Sequence, residues 1–159
     1  MTYKHTQIGY LMLVVTLAVL ALFAWAFITS SAEPVSVDSG TNFAVTLTMI
    51  LTVFILASFS SLHVIIDEEY LRIKFGFGIY QKKFLLSDIV SAKSVKNKWY
   101  NGWGIRWCFW SRTWIYNVSG FDTVEIKLKN NKTYRIGTDE PKKLEQAIQN
   151  SININRNII

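Results

Sequence analysis

Residues 62–76 read Leu62-His63-Val64-Ile65-Ile66-Asp67-Glu68-Glu69-Tyr70-Leu71-Arg72-Ile73-Lys74-Phe75-Gly76, two short segments of alternating apolar side chains around an acidic turn. A period of two belongs to a strand, because successive side chains leave its backbone on opposite faces. In the second segment Leu71, Ile73 and Phe75 share one face while Arg72 and Lys74 share the other. That is the pattern of an antiparallel sheet with one face on a core and one in water. Towards the C-terminus it repeats over residues 79–86, 89–96, 113–118, 123–129 and 133–136, with a phase slip between Ala92 and Val95 that implies a bulge. Turn residues divide the segments: Gly76-Phe77-Gly78, Ser87-Asp88 and Asn130-Asn131, the last because asparagine tolerates positive φ. After Gly137 the period lengthens. Thr138 or Asp139 can cap a helix, Pro141 fits its first turn, and Leu144, Ala147, Ile148 and Ile152 form one face. The expected domain, residues 61–152, has seven antiparallel strands closed into a barrel and one C-terminal helix. The Ile/Asn-rich tail, 153–159, is expected to fray.

Towards the N-terminus, two runs lack Asp, Glu, Lys and Arg: residues 8–28 and 43–66. The first makes a helix about 31 Å long at about 1.5 Å per residue, matching a hydrocarbon core of about 30 Å. The second changes to strand periodicity after Ser60-Ser61, so its helix is expected over 42–60. A cleaved secretory signal is the rival for the first run, since Ser30-Ser31-Ala32 resembles a small-residue cleavage site, but the apolar cores of signals run only about 7–15 residues. Charge sets the orientation. The 29–41 linker carries Glu33 and Asp38 and no basic residue, whereas 16 of the 17 Lys and Arg follow the second run and Lys4 precedes the first. Basic flanks stay cytoplasmic, so residues 1–7 and the C-terminal domain are expected inside and the 29–41 loop outside.

Half of the 159 residues are apolar and 18% are charged, too greasy for an ordinary soluble domain, and the lone Cys108 rules out a disulfide-stapled scaffold. The net charge of +6 suits anionic lipid or a topology signal. The orientation argument absorbs most of it, which leaves nucleic acid unexpected. His5 and His63 with one cysteine do not make a metal set. Gly102-Trp103-Gly104 lacks the third glycine and the strand-to-helix setting of a nucleotide fingerprint, and Asp139-Glu140 suits a helix N-terminus for structural reasons. No catalytic residue, metal or cofactor is expected.

The runs Leu71-Arg72-Ile73-Lys74-Phe75-Gly76, Leu86-Ser87-Asp88-Ile89, Gly102-Trp103-Gly104-Ile105-Arg106, Tyr116-Asn117-Val118-Ser119-Gly120 and Ile136-Gly137-Thr138-Asp139-Glu140-Pro141 together resemble the small membrane-anchored bacterial proteins with pleckstrin-homology (PH) domains, over residues 62–150. The resemblance implies a PH-like barrel at the membrane and no assigned biochemistry. It would also suggest a basic phosphoinositide cradle between the first two strands. Here that hairpin reads Asp67-Glu68-Glu69, so phosphoinositide recognition is not expected.

Five of the six tryptophans fall between Trp99 and Trp114, among Lys96, Lys98, Arg106 and Arg112. Trp and Tyr favour the headgroup region, and each nearby cation adds about 1 kcal/mol of attraction to an anionic leaflet. Trp99, Tyr100, Trp103, Arg106, Trp107, Trp110 and Arg112 are therefore the candidate interface residues. The same rings could instead fill the barrel, as suits Trp114 and Tyr116 on a strand, or line a partner groove. Counting reversals from the second span places residues 97–112 on the membrane side, and Asp67-Glu68-Glu69 and Asp88 on the far side. The expectation is a two-span inner-membrane protein whose domain acts as a tethered binding or scaffold module. It would contact anionic lipid and a protein partner or a second copy; the alternative is an accessory subunit of a membrane enzyme or transport complex.

Overall fold

The computed structural model describes residues 3–30, 39–98 and 102–158. Strand β1 (Tyr3–Ile8) leads into helix α1 (Tyr10–Ser30), and helix α2 (Ser39–Ser58) leads back into β2 (Ser61–Ile66). Strands β3 (Tyr70–Phe75) and β4 (Tyr80–Leu85) follow, then a 3-10 turn (Leu86–Asp88) and β5 (Ile89–Lys96). Next come β6 (Gly104–Cys108), β7 (Thr113–Asn117), β8 (Asp122–Leu128), β9 (Thr133–Gly137) and helix α3 (Pro141–Ile158).

The strands form two sheets, of order β1-β2-β3-β4 and β5-β8-β9-β7-β6. Two expectations are corrected here. The sheets do not close into a barrel, and there are nine strands among the described residues instead of seven, one pair of them (β7 with β9) parallel. The additional strands are β1, in what was expected to be a plain N-terminal flank, and β6, inside the tryptophan-rich segment. Smaller corrections concern the bulge, which lies between Ile89 and Ser91, and the tail, which stays helical to Ile158. The Asn155 amide in that tail donates to the Glu68 carbonyl at 3.1 Å.

Alternation explains the core. Leu62, Val64 and Ile66 of β2 and Leu71, Ile73 and Phe75 of β3 are buried side by side, joined by Val124, Ile126 and Ile136 of the second sheet and by Leu144, Ile148 and Ile152 of α3. Each such side chain contributes about 1.5–3 kcal/mol on leaving water.

Two series of contacts show how the sheets cross. Along β1 from its helix end, Gly9 lies against Val118 just beyond β7, the Gln7 amide donates to Ser119, and His5 meets Asp139 and Glu140 just beyond β9. Along β4 in the same direction, Tyr80 stacks on Tyr116 of β7 at 5.9 Å, and Phe84 meets Tyr134 of β9 at 4.8 Å. The second sheet therefore climbs away from the helices in the order β7, β9, β8, β5, its strands crossing those of the first, as in orthogonal sheet packing. Strand β6, on the other side of β7, is the strand of that sheet nearest the helices. Counting reversals is not what places it there, because β5 opens a second sheet at the edge farthest from them.

The helices differ in length of apolar surface. Among the described residues one helix, over Tyr10–Thr29, is long and apolar enough to cross a membrane, while the apolar part of α2, Phe43–Ser58, is shorter. Both expose large apolar side chains, including Val14, Leu17, Leu22 and Phe27 on α1 and Phe43, Leu47, Ile50 and Phe54 on α2, while Met12, Thr16, Val19 and Phe23 form a less exposed stripe on α1. Their hydroxyls turn back onto their own helices: Thr16 donates to the Met12 carbonyl, Thr48 to Ala44, Thr52 to Thr48 and Ser58 to Phe54. A Ser or Thr within a helix satisfies its hydroxyl in this way without water.

Candidate membrane interface

The helices join the first sheet at one place. Ile8 and Ser61 are register partners at the ends of β1 and β2, and the Gly9 amide donates to the Ser60 carbonyl at 2.7 Å. A side chain at Gly9 would press on the Val118 and Ser60 carbonyls at 3.0 and 3.1 Å, so glycine lets the chain pass between the sheets into α1. The β3–β4 turn abuts the same junction. Gly76 has φ +46, a Cβ there would lie 2.3 Å from the Ser58 carbonyl oxygen, and the Phe77 ring is nearly parallel to Phe54 of α2 at 6.5 Å.

The tryptophan-rich segment is a hairpin, β6 and β7, joined by a turn in which Arg112 takes φ 47. Trp107 and Trp114 are cross-strand partners 5.2 Å apart, both partly exposed. They share a face with Ile105 and Tyr116, which pack into the core, so the hairpin begins inside the domain and ends outside it. Its tip carries Phe109, 81% exposed, and Trp110, 95% exposed, beside the exposed Arg112. Arg106 points to the opposite face, its guanidinium against Gly102. Trp103 lies at the other end of β6, half-buried 6.4 Å from Phe121, with its indole N–H buried and unpartnered. Trp99 and Tyr100 lie outside the described residues. The hairpin thus gathers Trp107, Trp110 and Arg112 with Trp114, while Trp103 lies before the start of β6, against Phe121. Tyr116 is core, buried among Phe75, Tyr80 and Tyr134, and that burial holds its hydroxyl far above the usual phenol range.

On the solvent face of the first sheet, Thr6, His63, Lys74 and Gln81 are register partners in one row across all four strands. His63 accepts or donates a 2.8 Å hydrogen bond with Thr6, and burial, with Lys74 and Lys4 nearby, lowers its pKa below the ordinary 6.5. The Asp67 carboxylate pairs with Arg72 at 3.0 Å at the end of the sheet away from the helices. Among the described residues no group of three or more His, Cys, Asp or Glu is placed to hold a metal.

The Phe77 turn escaped the sequence reading. Its signal was an apolar Phe and Ile in a Gly-flanked turn, where polar residues are usual. No protein-family model matches the chain, and no curated protein or solved structure matches it.

Proposed function

We propose that the chain is a two-span protein of the bacterial cytoplasmic membrane, with both termini inside, and that its β domain is a tethered binding module without catalysis of its own. The observation that carries this is the pairing of β1 with β2 on either side of the helical hairpin. Two strands of one sheet lie on one side of a membrane, so a chain that leaves through α1 must return through α2. At 20 residues α2 is about 30 Å long, but its apolar part, Phe43–Ser58, covers only about 24 Å at about 1.5 Å per residue, so its return requires a locally thinned bilayer. The pairing also counts against cleavage near Ala32, which would remove an edge strand. The basic excess after α2 puts that side in the cytoplasm.

On this reading the β6–β7 hairpin, on the helix side of the second sheet, rests Trp107, Trp110 and Arg112 on the anionic inner leaflet. The far end, with Glu68 and Glu69, is left to a protein partner or a second copy. Two crossed sheets with one C-terminal helix also support the resemblance to membrane-anchored PH-like proteins.

Topology is tested with single cysteines in a Cys108→Ser background. In intact cells a membrane-impermeant maleimide should label Ser36→Cys and spare Glu68→Cys until the membrane is opened. Labelling of both, or of Glu68→Cys alone, contradicts the proposal. Purification of the same protein in mild detergent then separates the module from a subunit. A stoichiometric enzyme or transporter co-eluting with it would transfer the function to that complex.

A further inference from the structure

The β3–β4 turn exposes two large apolar side chains, Phe77 at 75% and Ile79 at 59%, beside the point where α2 meets the sheet. The Phe77 ring lies against Phe54, one helical turn before the end of α2 at Ser58. The turn therefore extends about 6 Å along the helix beyond the sheet. Above it, the Lys74 stem folds over the turn, so close that a Cβ on Gly78 would lie 2.4 Å from the Lys74 Cε and 3.1 Å from its Nζ. Thr6, His63 and Gln81 continue the Lys74 row across the sheet.

Passing from α2 towards the domain, the order is apolar rings, then an ammonium on an aliphatic stem, then a polar row. Acyl chains, phosphates and hydrated headgroups follow one another in the same sequence in a leaflet, and a lysine that buries its stem and lifts its charge suits the middle layer.

We propose that the β3–β4 turn is immersed in the leaflet beside α2, with Phe77 and Ile79 among the acyl chains and Lys74 at the lipid phosphates. The proposal rests on the two-span reading and extends it. The first sheet is held by lipid directly as well as through the helices, which fixes the rotation of the domain about the helical hairpin. The occupant is lipid because the turn continues the apolar surface of α2, where Phe43, Leu47, Ile50 and Phe54 are exposed.

The test uses the full chain with Cys108→Ser, bearing a bimane label at Phe77→Cys, Ile79→Cys, Leu20→Cys or Glu68→Cys in separate proteins. Each is reconstituted in vesicles of phosphatidylcholine and phosphatidylglycerol containing lipid with a nitroxide either high on the acyl chain, level with 77 and 79, or near its end, level with 20. Labels at 77 and 79 should be quenched well beyond that at 68 and close to that at 20. Quenching at 20 with none at either 77 or 79 overturns the immersed turn and leaves the spans standing. Absence of quenching at 20 overturns both. Protection of 77 and 79 that follows protein-to-lipid ratio would assign the turn to a second copy and refute the lipid occupant.

Discussion

A chain lacking residues 1–8 should lose the fold of its β domain. Strand β1 is held to β2 by six register pairs, from Tyr3 with Ile66 to Ile8 with Ser61. An antiparallel ladder of that length has about six backbone hydrogen bonds, each worth about 0.5–1.5 kcal/mol net, or about 3–9 kcal/mol together. The strand also brings the buried Gln7 to Ser119 and His5 to Asp139 and Glu140, and burial, with the Glu140 and Asp139 carboxylates nearby, pushes the Tyr3 hydroxyl up to about 12. Domains of this size have about 5–15 kcal/mol to lose. The truncated protein, solubilised in detergent, is expected to be cut throughout residues 61–158 by protease concentrations that leave the intact chain whole, and to lose its near-ultraviolet dichroism. Melting within a few degrees of the intact chain would mean that β1 is dispensable.

Gly76→Val should be the most damaging single substitution at the helix–sheet junction. A β-branched residue at φ +46 is strained by about 1–3 kcal/mol, and its Cβ would meet the Ser58 backbone at 2.3 Å, where relief by side-chain movement is impossible and overpacking adds about 1–3 kcal/mol. The sum, about 2–6 kcal/mol, corresponds to a fall in melting temperature of roughly 10 °C or more at about 4–8 °C per kcal/mol. Gly120→Val provides the comparison. Gly120 has φ +67, also left-handed, but nothing within 4 Å of an added Cβ, so the same side chain there reports the cost of backbone conformation. Equal losses in the two variants, read as apparent melting temperatures at one scan rate, would show that contact with Ser58 is immaterial.

Most strands were legible in the sequence because one face of each is apolar, as Leu71, Ile73 and Phe75 show on β3. Strand β1 was not. Its inward residues are Tyr3, which packs at the edge of the core, and the polar His5 and Gln7, which meet Asp139 and the Ser119 carbonyl, so no hydrophobic period survives. Strand β6 was hidden for another reason: it projects beyond the core, its two faces are similarly exposed, and Trp107 meets Trp114 instead of a buried neighbour. The C-terminal helix outran its expected end because Ile148, Ile152 and Asn155 stay on one face, the last through its bond to Glu68. The tryptophan cluster was visible as composition, but its division between Tyr116 in the core and Trp110 in the open depends on sheet order, which no local pattern encodes.

On the two-span reading, β1 is made before both helices and pairs with a strand made after them, so the sheet has no complete edge until the helical hairpin has been threaded. Closing so long a loop by diffusion carries an entropic cost that grows with its length, whereas a hairpin already inserted delivers both ends to the same spot. Membrane insertion is then a step in folding the domain. On that reading, a chain whose second helix fails to return is left with β1 on the opposite side of the bilayer from β2, and its domain cannot complete its first sheet.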